Sequence, residues 1–433
     1  MVPLFVLLVA SVAEAQHITR LAITRKPPHL VGSTNGGVVP LHGNFGKLGE
    51  YYITVHIGGK PTSVLVDTGS SDFAVSSVGC HGCNHKPGGQ WYDPKGSPNS
   101  TALDCGWCSA HAKVCTGGCD SSCKARGAKK QCTFRAGYED GTGFSAAGWL
   151  DDVKLGDMPT TRAAVGAIYE SRMSDPKPVD GIIGLANVSE SDYGAPTPID
   201  ALVSSGAMDN LFGLCLTEDG GQMYLGESAT HMIETFRNAS EDGEIGWTPR
   251  KLDGATPGLY AVTVTDIKIG GVSLGLEPHF YNDGDAIVDS GTSDFDLPET
   301  AMKTLKHHFA SLCATQCLKG VCDCDSRKPL KVPIFENRCV DMELQDRDAY
   351  PTITVDFAGG LTIPYPPASY LRNGSQFCSG DPKKFTIEIE AGGKDGSGTI
   401  LGDTFMRGYN VIHDRRTPQR IGFAKVPRGG ACP

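Results

Sequence analysis

The sequence predicts a mostly β protein arranged as two pseudo-symmetric lobes, and three observations carry this reading. Two nearly identical tetrads stand far apart: Asp67-Thr68-Gly69-Ser70 after Val64-Leu65-Val66, and Asp289-Ser290-Gly291-Thr292 after Ala286-Ile287-Val288. Each is followed by an apolar-apolar-glycine segment, Asp180-Gly181-Ile182-Ile183-Gly184-Leu185-Ala186 in the first half and Gly398-Thr399-Ile400-Leu401-Gly402-Asp403 in the second. Such self-similarity marks two homologous units. Finally, 55 Gly and 27 Pro punctuate short alternating runs, among them Tyr52 to Ile57 and Ala261 to Ile269, a pattern of strands and turns. With 433 residues, 39% of them hydrophobic, the chain can bury two sizeable cores.

In chain order, residues 1–15 read as a secretory signal peptide. Leu4 to Ala10 is an apolar run too short to span a bilayer, and Ala13-Glu14-Ala15 is a small-residue cleavage pattern, although a basic n-region is missing. Residues 16–48 read as a leader or short propeptide, which includes Arg20, Arg25 and Lys26 and has a Gly-rich end suited to disorder. Residues 49–240 make the N-terminal lobe and 241–433 the C-terminal lobe. Helical signals are sparse, the clearest being Pro298 to Leu312, where Met302, Leu305, Phe309 and Leu312 recur at helical spacing.

A Cys-rich insert occupies 80–132 and holds eight of the 16 Cys: Cys80, Cys83, Cys105, Cys108, Cys115, Cys119, Cys123 and Cys132. Repeated C-x-x-C pairs suit structural zinc in a reducing compartment and disulfides in an oxidising one. The signal peptide favours disulfides, and the low apolar content between these cysteines calls for covalent staples. No metal and no organic cofactor is expected. The localisation expected is the secretory pathway (endoplasmic reticulum, Golgi or vesicle lumen) or secretion, with which sequons at Asn99, Asn187, Asn238 and Asn373 are compatible. The net charge of −10 argues against nucleic acid as a partner.

Each tetrad sets one carboxylate on a short rigid loop, where glycine permits close approach of a second loop. Two such carboxylates brought together cannot both ionise cheaply, so they share a proton and divide the roles of acid and base. Ser70 and Thr292 stand three residues after their Asp, placed to hydrogen-bond and orient it.

From about Tyr51 to about Phe423 these motifs closely resemble the pepsin-type aspartic proteases, whose dyad is the usual example of a shared carboxylate proton. Supporting motifs fall in family order, including Tyr224-Leu225-Gly226-Glu227 and Val411-Ile412-His413-Asp414. The resemblance implies a bilobal pepsin-like fold with the active-site cleft between the lobes, Asp67 and Asp289 as catalytic residues, and Thr68, Gly69, Ser70, Ser290, Gly291 and Thr292 in support. It implies an endopeptidase acting on peptide or protein substrates through an activated water. A monomer is expected, with no membrane span beyond the signal peptide. The insert is similar to that of the plant nepenthesin-like enzymes and of plasmepsin V, whose C-terminal membrane helix has no counterpart in the sequence up to Pro433.

The flap of this family is matched by Phe134 to Phe144, a hairpin with an Asp-Gly turn, and Tyr138 aligns with the flap tyrosine. Pepsins support that tyrosine with a tryptophan where this chain has Ala74. In plasmepsin V an acidic flap residue helps recognise arginine, a role open to Glu139 or Asp140 beside Gly141, while a plain Asp-Gly turn explains Asp140 equally. The other class of function is a protease-like binding or inhibitor protein that has lost catalysis. Such proteins usually lose an Asp, a neighbouring Gly or the flap Tyr, and all three survive here.

Overall fold

The computed structural model describes residues 36–43, 50–83, 91–104, 131–138, 141–172, 179–191, 194–239, 245–331, 333–336, 338–374, 378–426 and 432. Strands dominate, as the alternating runs require. Tyr51–Ile57 buries Tyr51, Ile53, Val55 and Ile57 on one face, so a period of two turns its apolar set inward. The second alternating run forms Ala261–Val262 and Val264–Ile269.

The two halves are built alike around their tetrads. In the first, Lys60–Asp67 runs parallel to Gly181–Gly184, which pairs antiparallel with Phe73–His81. In the second, Ala286–Val288 runs parallel to Thr399–Leu401, which pairs antiparallel with Phe295–Pro298. Both repeats thus place a strand end bearing an Asp beside a strand from the apolar-apolar-glycine motif.

One sheet joins the halves. Tyr409–Asp414 and Arg420–Lys425, late in the chain, continue through Leu211–Thr217 and Gly220–Gly226 of the first half. Gly36–Gly43, within the stretch read as leader, is a strand of this sheet. It pairs with Gly220–Gly226 on one side and with Tyr51 and Tyr52 on the other. Val39 and Leu41 are buried there, an alternation that the Gly-rich composition of the stretch conceals.

The helix read at Pro298 to Leu312 is Glu299–Leu312, with Pro298 at its N-cap and Ala301, Met302, Leu305 and Phe309 buried. Each such large side chain contributes roughly 1.5–3 kcal/mol by leaving water. Pro198–Ser204 is capped by a reciprocal Thr197–Asp200 box, and Glu227–Ala239 is a helix that the sequence reading passed over.

All eleven cysteines among the described residues are disulfide-bonded. The pairs include Cys80–Cys83, Cys215–Cys432, Cys313–Cys322, Cys317–Cys324 and Cys339–Cys378. Within the insert, Cys80, Cys83 and Cys132 are oxidised as expected, and Cys105 to Cys123 lie outside the described residues. No helix among the described residues is long and apolar enough to cross a membrane.

Candidate active site

The tetrads meet. Thr68 Oγ1 donates to the Val288 carbonyl at 3.0 Å and accepts from the Ser290 amide at 2.9 Å. Reciprocally, Ser290 Oγ donates to the Val66 carbonyl at 2.8 Å and accepts from the Thr68 amide at 3.2 Å. Four crossed hydrogen bonds between buried groups fix one loop against the other, and each lost partner would strand a buried polar atom.

This locking brings Asp67 and Asp289 within hydrogen-bond reach of each other. Both are nearly buried, 4% and 7% exposed. The Gly69 and Gly291 amides each donate to the inner oxygen of their own Asp at 2.8 Å. Ser70 Oγ donates to Asp67 Oδ2, and Thr292 Oγ1 to Asp289 Oδ2 at 2.7 Å. The two glycines also make room, because a Cβ on Gly69 would lie 2.6 Å from Asp289 Oδ1 and one on Gly291 2.4 Å from Asp67 Oδ1. Burial, followed by the Asp289 charge, pushes the Asp67 carboxyl well above its usual range, and the bonds from Ser70 and Gly69 only partly offset this.

The carboxyls open into a cavity of about 440 Å³ lined by Leu65, Ile182, Leu259, Ile287, Ile400 and Tyr138. A third carboxylate, Asp296, lines the same wall. Over it stands the hairpin of Thr133–Gly137 and Gly143–Leu155. The Tyr138 amide donates to Thr142 O and the Gly141 amide to Tyr138 O, both at 3.0 Å. Gly141 sits at φ 79°, a left-handed conformation that glycine adopts without strain. Glu139 and Asp140 lie outside the described residues.

Residues 50–426 match the eukaryotic aspartyl protease family. The chain belongs to that family. Among curated relatives, it is 27% identical to a beta-secretase of Strongylocentrotus purpuratus over 88% of this chain and 67% of the relative. It is 27% identical to pepsin A of Bos taurus over 87% and 84%, and 24% identical to Protein ASPARTIC PROTEASE IN GUARD CELL 2 of Arabidopsis thaliana over 75% and 62%.

Three parts of this aspartyl protease site escaped the sequence reading. Near Ala74, the Phe134 ring covers the space beside Ala74 and Gly166, where a Cβ on Gly166 would meet Phe134 Cζ at 2.6 Å. Phe134 meets Phe144 edge-on at 6.1 Å, and Phe144 meets Tyr138 at 6.3 Å, so an aromatic chain leads to Tyr138. Asp403, only 1% exposed, accepts no bond at Oδ1 from the described residues and is pushed well above the carboxylate range, by burial first and then by the Asp289 charge. Tyr260 bonds to a neighbour of each tetrad: its hydroxyl donates to Leu185 O at 2.6 Å, and its carbonyl accepts from the Val288 amide at 3.1 Å. Asp403 closes the Gly398–Asp403 motif and the two phenylalanines bound the hairpin match, but what surrounds each of these side chains arises only on folding.

Proposed function

We propose that this protein is an active aspartic endopeptidase of the secretory pathway, in which Asp67 and Asp289 activate a water against a peptide bond. The observation that carries the proposal is the crossed Thr68–Ser290 locking, which holds two buried carboxyls face to face with their orienting hydroxyls in place. The pair retains one proton where isolated carboxylates would hold none, and that titration belongs to the pair. The ionised carboxylate takes a proton from the water as its oxygen attacks the carbonyl carbon, while the protonated one donates to the carbonyl oxygen. Protonation of the amide nitrogen then breaks the C–N bond and expels the amine.

Thr68, Gly69, Ser70, Ser290, Gly291 and Thr292 hold this geometry, and Tyr138 closes over the bound peptide. The disulfides support an oxidising compartment. The insert's similarity to that of plasmepsin V favours a processing role, for which Glu139 and Asp140 are specificity candidates. The test is incubation with a diverse peptide library from acidic to neutral pH, with and without a statine-type transition-state mimic. Statine-sensitive cuts support the proposal, and cuts confined to a narrow motif support processing. No cleavage by folded, matured protein would establish a binding protein instead.

A further inference from the structure

His413 lies in the sheet that joins the two halves, and it is fully buried. Its ring stacks on Phe212 at 4.6 Å with an 11° tilt and meets Tyr260 edge-on at 4.5 Å. Neither ring nitrogen has a hydrogen-bond partner among the described residues. Tyr260, in turn, ties the active-site loops together. Its hydroxyl holds Leu185 O while the Leu185 amide donates to Asp67 O at 2.7 Å, and its carbonyl holds the amide of Val288, the residue before Asp289.

The charges around the imidazole are unfavourable to a further cation. Arg250 lies over the Tyr260 ring at 5.2 Å, and its guanidinium is spent on Leu259 O, Pro257 O and Gln419. Arg415 is bonded to Asp200, and its Nε and Nη1 have no partner among the described residues. The carboxylates are otherwise engaged: Glu190 accepts from the Gly258 amide, and Asp414 is paired with Arg416 and Arg420. The facing residues across the sheet, Phe212 and Ile421, carry no charge.

We propose that His413 and Tyr260 form an acid-sensitive support for the dyad: the neutral imidazole packs the tyrosine that couples the two loops, and protonating it releases that coupling. A third positive charge between Arg250 and Arg415, without an acceptor, can be accommodated only if the ring leaves its stack. Burial first, and the Arg250 charge next, depress the His413 pKa to about 3, against about 6.5 for an unfolded histidine; the Val411 backbone opposes this weakly without completing a hydrogen bond. Because the folded value lies below the unfolded one, the contribution is complete above about pH 6.5. It falls by about tenfold in the folding equilibrium per pH unit from there toward pH 3.

Only the activity readout rests on the proteolytic reading above. His413→Phe keeps the stack and removes the proton site. It is expected to raise the ratio of kcat at pH 2 to kcat at pH 6 by about tenfold over the parent, because a folded value near 3 leaves about a tenth of the imidazole neutral at pH 2, and to move acid unfolding to lower pH. An unmoved acid limb and an unmoved unfolding midpoint would overturn the proposal. The unfolding arm needs no activity, so a protein that cleaves nothing still tests it. Tyr260→Phe is expected to lower kcat with KM little changed, and equal kcat would remove the tyrosine from the device. Should either variant fail to fold, histidine C2 hydrogen exchange on the parent, read by mass spectrometry, reports the His413 pKa directly. A value far below that of the exposed histidines supports the proposal, and an ordinary one overturns it.

Discussion

At the scale of single residues, the glycines of the tetrads constrain the chemistry as tightly as the carboxylates. A methyl on Gly291 would stand 2.4 Å from Asp67 Oδ1, a separation that atoms do not tolerate. Gly291→Ala is therefore expected to cut kcat by about a thousandfold or more, since small misplacements of reacting groups are costly, while the circular dichroism spectrum stays unchanged. Asp67→Asn should abolish turnover under conditions that exclude deamidation, and normal activity would refute the dyad. The direction of the Asp67 shift also fixes a pH dependence. A carboxyl held above its ordinary pKa keeps its proton to higher pH, so the alkaline limb of kcat/KM should lie above the usual carboxylate range. These residues were legible because each tetrad packs glycine, hydroxyl and carboxylate into four consecutive positions. Tyr260 and His413 were not, because their roles arise from rings and carbonyls that meet only after the sheet forms.

Among the elements, the hairpin of Thr133–Gly137 and Gly143–Leu155 carries an aromatic chain that runs to Tyr138. Phe134 and Phe144 form that chain, with no tryptophan at position 74. Removing the middle ring by Phe144→Ala should cost about 3–5 kcal/mol of local packing and raise KM more than it lowers kcat, as steady-state kinetics on a cleaved peptide can check. The sequence conveyed the hairpin itself through its turn and its alternation. It did not convey the aromatic chain, because Phe134 and Phe144 become neighbours only through cross-strand register. Glu227–Ala239 escaped for another reason: it follows directly on a strand, and its apolar residues are too few to stand out from the alternating background.

For the whole molecule, the repeated halves are bound by one continuous sheet and by a bond from the chain's end to its middle. Cys215 and Cys432 close a loop with a separation of 217 residues. Cys432→Ser should lower unfolding stability by roughly 2–5 kcal/mol in denaturant titration, the usual range for a lost native disulfide. The two-lobed plan was legible because the repeat is written twice in order. The place of Gly36–Gly43 was not, since its partner strand lies almost two hundred residues away. That strand is sandwiched between two others, and its position carries a consequence for handling the protein. Any shortened version beginning after residue 48 would leave unpaired amides and carbonyls along Gly220–Gly226 and at Tyr51 and Tyr52. Such an edge is a template for a peptide segment of a neighbouring molecule, so trimming residues 16–48 would invite strand exchange and clumping.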